Sequence, residues 1–171
     1  MMKKIISLKQ CTNHSNFLSN YAIMCVASFF ADHSFCHAFS DQRLFNYFRL
    51  DYLDSATIKI IKYLAQKVGQ SPSFRKYLFS LIELSKTDEE MALAAAKAIT
   101  ILNSAGVSFS GMDLRGIRVP GAVLVGANFY GIDLQGADLR GVDLTNAFLF
   151  KAKLEEIDFS LVINNQGVKL K

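Results

Sequence analysis

From Val107 to Leu161 apolar residues recur every five positions, and that period decides what the segment can fold into. The large residue of each unit falls at Phe109, Leu114, Val119, Leu124, Phe129, Leu134, Leu139, Leu144, Leu149, Leu154 and Phe159. Two residues before each stands another apolar residue, as in Ala122, Ala127, Ile132, Ala137 and Val142. Two residues after each, glycine fills the first seven slots, from Gly111 to Gly141. An amphipathic helix would spread fives around its circumference, and a glycine in every turn would cost it about 1 kcal/mol each. A long plain strand alternates sides every residue, so an odd period would send successive large residues to opposite faces. A short extended piece that points its small and large apolar residues inward, then turns a corner at glycine, satisfies the pattern. Repeating it coils the chain around an interior ladder whose turns are stable only when stacked.

Residues 20 apart should then lie above one another. Phe109 falls over Phe129, and Leu114, Leu134 and Leu154 share a column, so four units make one turn. The ladder we expect comprises Phe109, Leu114, Leu124, Phe129, Leu134, Leu139, Leu144, Leu149 and Leu154. Eleven units give just under three turns, a stub at roughly 4.8 Å per turn. Both ends of such a stub present unpaired backbone groups and need covers.

These residues resemble the pentapeptide repeat family, whose A-(D/N)-L-x-x pattern is seen in Ala127-Asn-Phe-Tyr-Gly131, Ala137-Asp-Leu-Arg-Gly141 and Val142-Asp-Leu-Thr-Asn146. The resemblance implies a right-handed quadrilateral β-helix with four pentapeptides per coil. Some members of that family imitate duplex DNA and bind topoisomerases, using long, acidic and usually dimeric rods. The helices leading into Ala105-Gly-Val-Ser-Phe-Ser-Gly111 also resemble the lead-in beside such repeats in some large bacterial NTPases of the NACHT type. No G-x-x-x-x-G-K-[ST] phosphate loop occurs in this chain.

Upstream of Gly106 the apolar spacing is helical. One helix starts at Asp54 or Ser55, carries Ile58, Ile61, Leu64, Ala65 and Val68 on one face, and stops at Gly69. A second opens with Ser71 as cap and Pro72 in the first turn, with a stripe of Phe74, Tyr77, Leu78, Leu81 and Ile82. A third opens with Thr87-Asp-Glu-Glu90 as a capping box and runs through alanine-rich sequence to Gly106, from where it covers the start of the coil. Residues 17–53 are rich in aromatics and expected to be helical and buried. The fold class expected is α plus β-solenoid: an α-helical domain over 1–105, a pentapeptide-repeat β-helix over 106–161 and a tail over 162–171, where 163–167 reads as a turn.

Gln10–Ala31 carries no Asp, Glu, Lys or Arg, but polar residues in its first half leave an apolar run shorter than the roughly 20 residues that span a membrane. A buried helix over 17–31 is the favoured expectation. An export signal or anchor, with Lys3 and Lys4 as its basic end, is the rival. Three cysteines make no disulfide framework and fit a reducing, cytoplasmic compartment, with a secreted effector as the alternative. Cys25, His33, Cys36 and His37 lack the second close pair that structural zinc uses, so no metal is expected.

No catalytic constellation appears, the three histidines all precede residue 38, and neither an enzyme nor a cofactor is expected. The net charge of +4 contains no basic block of the kind that binds nucleic acid, and residues 106–161 alone hold 5 Lys/Arg against 7 Asp/Glu. What remains is the outside of the coil. The outward slots of one column place Tyr130, Phe148 and Phe150 together, and the neighbouring column adds Val123 and Val125. An exposed patch of this kind marks a contact surface for a protein partner or for self-association, unless N-terminal helices or the tail fold over it. The other columns carry mixed charge (Asp113, Asp133, Lys153; Arg118, Asp138, Asp158) and read as solvated. The expected function is a non-enzymatic interaction scaffold. The alternatives are a DNA-mimicking topoisomerase binder, or a relic or effector related to a larger signalling NTPase.

Overall fold

The computed structural model of the chain describes residues 55–163 and 165–169, all within one compact unit, Phe45–Lys171. The expectations for the 17–31 segment, for the aromatic stretch 17–53 and for Cys25, His33, Cys36 and His37 lie outside the described residues. Among the described residues three helices precede the coil: α1 (Ser55–Gln70), α2 (Pro72–Leu84) and α3 (Ala92–Ser104). None is long and apolar enough to cross a membrane.

The Ser71 side chain accepts the Phe74 N–H at 3.2 Å, and Pro72 sits in the first turn of α2, where its missing N–H removes no helix bond. The entry to α3 departs from expectation. Thr87 turns its hydroxyl back to the Leu84 carbonyl, so Asp88 takes over the cap and accepts the Glu90 N–H at 2.9 Å. A short 3-10 turn, Glu89–Met91, then feeds α3. The stripe of α1 also differs: Ile60, Leu64 and Val68 are buried, whereas Ile58 is exposed and Ile61 half-buried. On α2, Phe74, Leu78, Leu81 and Ile82 are buried, as their spacing requires. Gly106, at φ 71°, ends α3, with the Gly106 N–H on the Asn103 carbonyl and the Val107 N–H on the Leu102 carbonyl. That bond pair is a Schellman cap, which needs the left-handed backbone glycine adopts easily.

Beyond Gly106 the chain coils with a 20-residue period. Parallel bridges join Asp113 to Asp133, Arg118 to Asp138, Val123 to Asp143, Asn128 to Phe148 and Asp133 to Lys153. Between turns, Leu114 N donates to Asp133 O at 2.8 Å, and Asp133 N donates back to Met112 O at 2.9 Å. Pairing among the described residues consists of isolated bridges rather than continuous strands. The cause is the corner after every unit, closed by bonds such as Met112 N to Phe109 O and Ala127 N to Leu124 O. Its third residue has positive φ, the requirement of a type II turn.

Inside the coil Phe109, Leu114, Leu124, Phe129, Leu134, Leu139, Leu144 and Leu149 are buried. The Phe109 and Phe129 rings meet at 5.4 Å, and Phe79 of α2 closes the column edge-on to Phe109 at 6.5 Å. Leu154, on the last turn, is half-buried. Pairing continues past Leu161: Ile163 N donates to Val142 O at 3.1 Å and Lys169 N to Ala147 O at 3.0 Å. The Phe148–Lys169 bridge spans one residue more than the others, so the last stretch carries a single insertion.

The helices satisfy the first free edge of the coil. Val123 N donates to Thr100 Oγ1 at 3.0 Å, and Asn103 Nδ2 reaches Val125 O at 3.1 Å. Arg118 N donates to Ser85 Oγ at 3.1 Å, and Lys86 Nζ donates to Asp113 O at 3.1 Å. These are groups that a preceding turn would otherwise pair, and buried backbone groups without partners are costly. Among the described residues no buried side-chain N or O lacks a hydrogen bond.

Candidate functional site

Four columns of outward residues result from the 20-residue period, and each has its own chemistry. In the first, Tyr130 stacks with Phe148 at 6.2 Å and with Phe150 at 5.7 Å, and Phe148 lies 6.1 Å from Phe150. All three ring pairs are within 20° of parallel. Bridging between Asn128 and Phe148 sets this register, since it places residues 130 and 150 in neighbouring rungs. Tyr130 is 39% exposed and Phe148 36% exposed, with Phe150 half-buried beside them. The patch is open although its rings stack on each other.

Lys151 joins this site, although the sequence-based expectation does not include it. It occupies a corner that seven earlier units give to glycine, at φ 59°. From there its Nζ lies 5.6 Å from the Tyr130 ring centroid and 5.7 Å from that of Phe150, close enough for cation–π attraction. The column arithmetic that collected the rings could have found it, because Lys151 stands 20 residues after Gly131 and directly follows Phe150.

Val123 and Val125 border the helices. They line a groove of about 260 Å³ together with Ile58, Ile61, Thr100 and Asn103, and none of the three rings lines it. The same groove accounts for the unburied Ile58 and Ile61 of α1. The structure therefore brings Tyr130, Phe148 and Phe150 together, while Val123 and an exposed Val125 line the groove with α1 and α3.

The two charged columns neutralise themselves. Arg115 forks onto Asp113 with Nε to Oδ1 at 2.9 Å and Nη2 to Oδ2 at 2.6 Å, and those hydrogen bonds hold the Asp113 carboxyl well below the usual carboxylate range. Arg140 holds Asp138 in the same way and lowers its carboxyl too. Lys153 Nζ pairs with Asp133 at 3.0 Å. These carboxylates also brace the backbone. Asp113, Asp133, Asp138 and Asp143 each accept the N–H two residues on, as Asn128 does for Tyr130. The slot before each ladder residue thus favours Asp or Asn because the side chain steadies the following corner. Among the described residues no group of three or more His, Cys, Asp or Glu could hold a metal ion.

Residues 105–141 and 122–160 match the protein family described as pentapeptide repeats, in eight copies, so this third of the chain carries those repeats in a β-helical solenoid. The match is to a repeat family, and no enzyme family is indicated. Among solved structures the chain is similar to full-length QnrB1, described as a plasmid-mediated fluoroquinolone resistance protein, at 28% identity and a TM-score of 0.29. That similarity covers 37% of this chain and 34% of QnrB1, so the chain spans about a third of that protein's length. No curated protein matches the chain.

Proposed function

We propose that this chain is a non-enzymatic scaffold that engages a protein partner through the outer face holding Tyr130, Phe148 and Phe150. In this reading the repeat segment is a right-handed, four-sided β-helix of the pentapeptide type, and its role is to hold side chains in fixed register for another molecule to touch. The stacked ring triad, in which Tyr130 and Phe148 remain exposed, supports this most strongly. Contiguous apolar surface on a folded chain is otherwise uncommon, and aromatic residues supply large contact area with little conformational entropy to lose. The chain is read as cytoplasmic, with no nucleic-acid or membrane ligand and no cofactor.

Affinity capture from the native cell with the tagged full chain tests the proposal, using Phe148→Ser/Phe150→Ser as the comparison. The substituted side chains point outward, so far-UV circular dichroism should not change while the captured partner is lost. Equal capture by both proteins would remove the aromatic face from the account. The duplex-imitating alternative makes a different demand: purified protein should inhibit gyrase supercoiling at micromolar concentration. Its acidic columns are offset by Arg115, Arg140 and Lys153, which lowers the negative potential such imitation needs.

A further inference from the structure

Charge is distributed unevenly over the outer columns. Where Asp113, Asp133 and Asp138 occur, each is met by Arg115, Lys153 or Arg140 on the protein itself. The aromatic column has no carboxylate in its outward slots, which hold Ser108, Ser110, Asn128 and the three rings. It is nevertheless flanked by two exposed cations, Lys151 over the rings and Lys169, bridged beside Phe148 on the next turn. Neither lysine makes an ion pair among the described residues. Lys151 also keeps a left-handed backbone that most side chains avoid and that glycine provides at the seven earlier corners.

We infer that this face binds an acidic peptide segment carrying an aromatic side chain. Its ring would stack on the Tyr130, Phe148 and Phe150 surface and its carboxylates would meet Lys151 and Lys169. The inference names the partner chemistry of the contact face and rests on that reading. Two other occupants fit less well. A single-stranded nucleic acid needs a track of cations along its phosphates, and among the described residues two stand beside the rings. A second copy of the chain would bring lysine-flanked face against lysine-flanked face, with no carboxylate in the column to meet them.

The chain contains no tryptophan, so the indole emission of a probe peptide reports the peptide alone. The probes are a synthetic ten-residue peptide with five glutamates, one tryptophan and one phenylalanine, and its twin with lysine at every glutamate. Titrated with the full chain, the acidic peptide should show a saturable blue shift and bind at least tenfold tighter than its twin. Lys151→Glu/Lys169→Glu should reverse that preference, and Phe148→Ser/Phe150→Ser should weaken both peptides at least tenfold, with circular dichroism unchanged in each variant. Any of four results overturns the inference: no shift with the acidic peptide, equal binding of the twins, stronger displacement by a thymidine decamer than by unlabelled acidic peptide, or a sedimenting dimer that the phenylalanine variant dissolves. Equal binding of both twins that the phenylalanine variant abolishes overturns the inference of an acidic partner while leaving the contact face of the proposed function standing. Capture of the native partner by the phenylalanine variant removes the contact face itself.

Discussion

Lys97 shows how one residue couples burial to pH. It sits on α3 at 7% exposure, and burial lowers its amine from the ordinary 10.5 to about 8. Between those two values the unfolded chain holds the proton more often than the folded one, so stability rises with pH across that window. Below about pH 8 the cost of burying the charged amine is fully present. The wild-type chain should therefore gain stability between about pH 8 and 10 relative to Lys97→Met, measured by denaturant unfolding at each pH. Parallel profiles for the two proteins would show that Lys97 does not titrate in this way. The corner residues teach a related lesson. Gly131 has φ 63° and nothing within 4 Å of where a Cβ would stand, so its requirement is conformational and not one of space. Asn146, Lys151 and Glu156 take the same backbone with side chains present, at about 1–2 kcal/mol each where the residue is not asparagine. Spacing reveals such corners while glycine marks them; where other residues replace it, as at Lys151, the local signal disappears.

At the level of elements, the helices act as the missing preceding turn of the coil. Thr100 carries one such contact, donating to Ala96 O at 2.8 Å while accepting Val123 N–H. Thr100→Val keeps the shape and removes the acceptor, which should cost about 1–3 kcal/mol by stranding a backbone donor. Thr100→Ser should recover most of it, and denaturant midpoints for the three proteins decide the matter. Equal midpoints would mean that α3 covers the coil by packing alone. The existence of these helices was legible, because Ser71–Pro72 and the Gly106 stop are local signals. Their exact faces were not. Leu64 and Val68 are buried as their spacing predicts, but Ile60 joins them in place of Ile58 and Ile61, which line the groove shared with Val123 and Val125. Which side of a helix faces inward depends on what lies beneath it, and a helical period does not carry that information.

For the molecule as a whole, the 20-residue period explains both what was legible and what was missed. Every fifth residue marks the ladder, so the stacking of Phe109 on Phe129 and the meeting of Tyr130, Phe148 and Phe150 follow from counting. Counting cannot place Lys169, because one inserted residue shifts the last stretch relative to Phe148. Nor does it foresee the groove that Val123 and Val125 line, since that depends on where α1 and α3 dock. The candidate site is thus half a consequence of the repeat and half a consequence of where the repeat is interrupted. Phe148 is tied to the preceding turn by a reciprocal pair of backbone bonds: Phe129 N donates to Phe148 O at 2.8 Å, and Phe148 N donates to Ala127 O at 2.9 Å.

Ring-to-ring nuclear Overhauser contacts in solution test this arrangement most directly. The account predicts cross-peaks between Phe109 and Phe129, whose centroids lie 5.4 Å apart, and between Tyr130 and both Phe148 and Phe150, at 6.2 and 5.7 Å. A folded chain that lacks those peaks and shows helical contacts three and four residues apart through 107–161 would contradict the coil, and with it the face on which the proposed function depends.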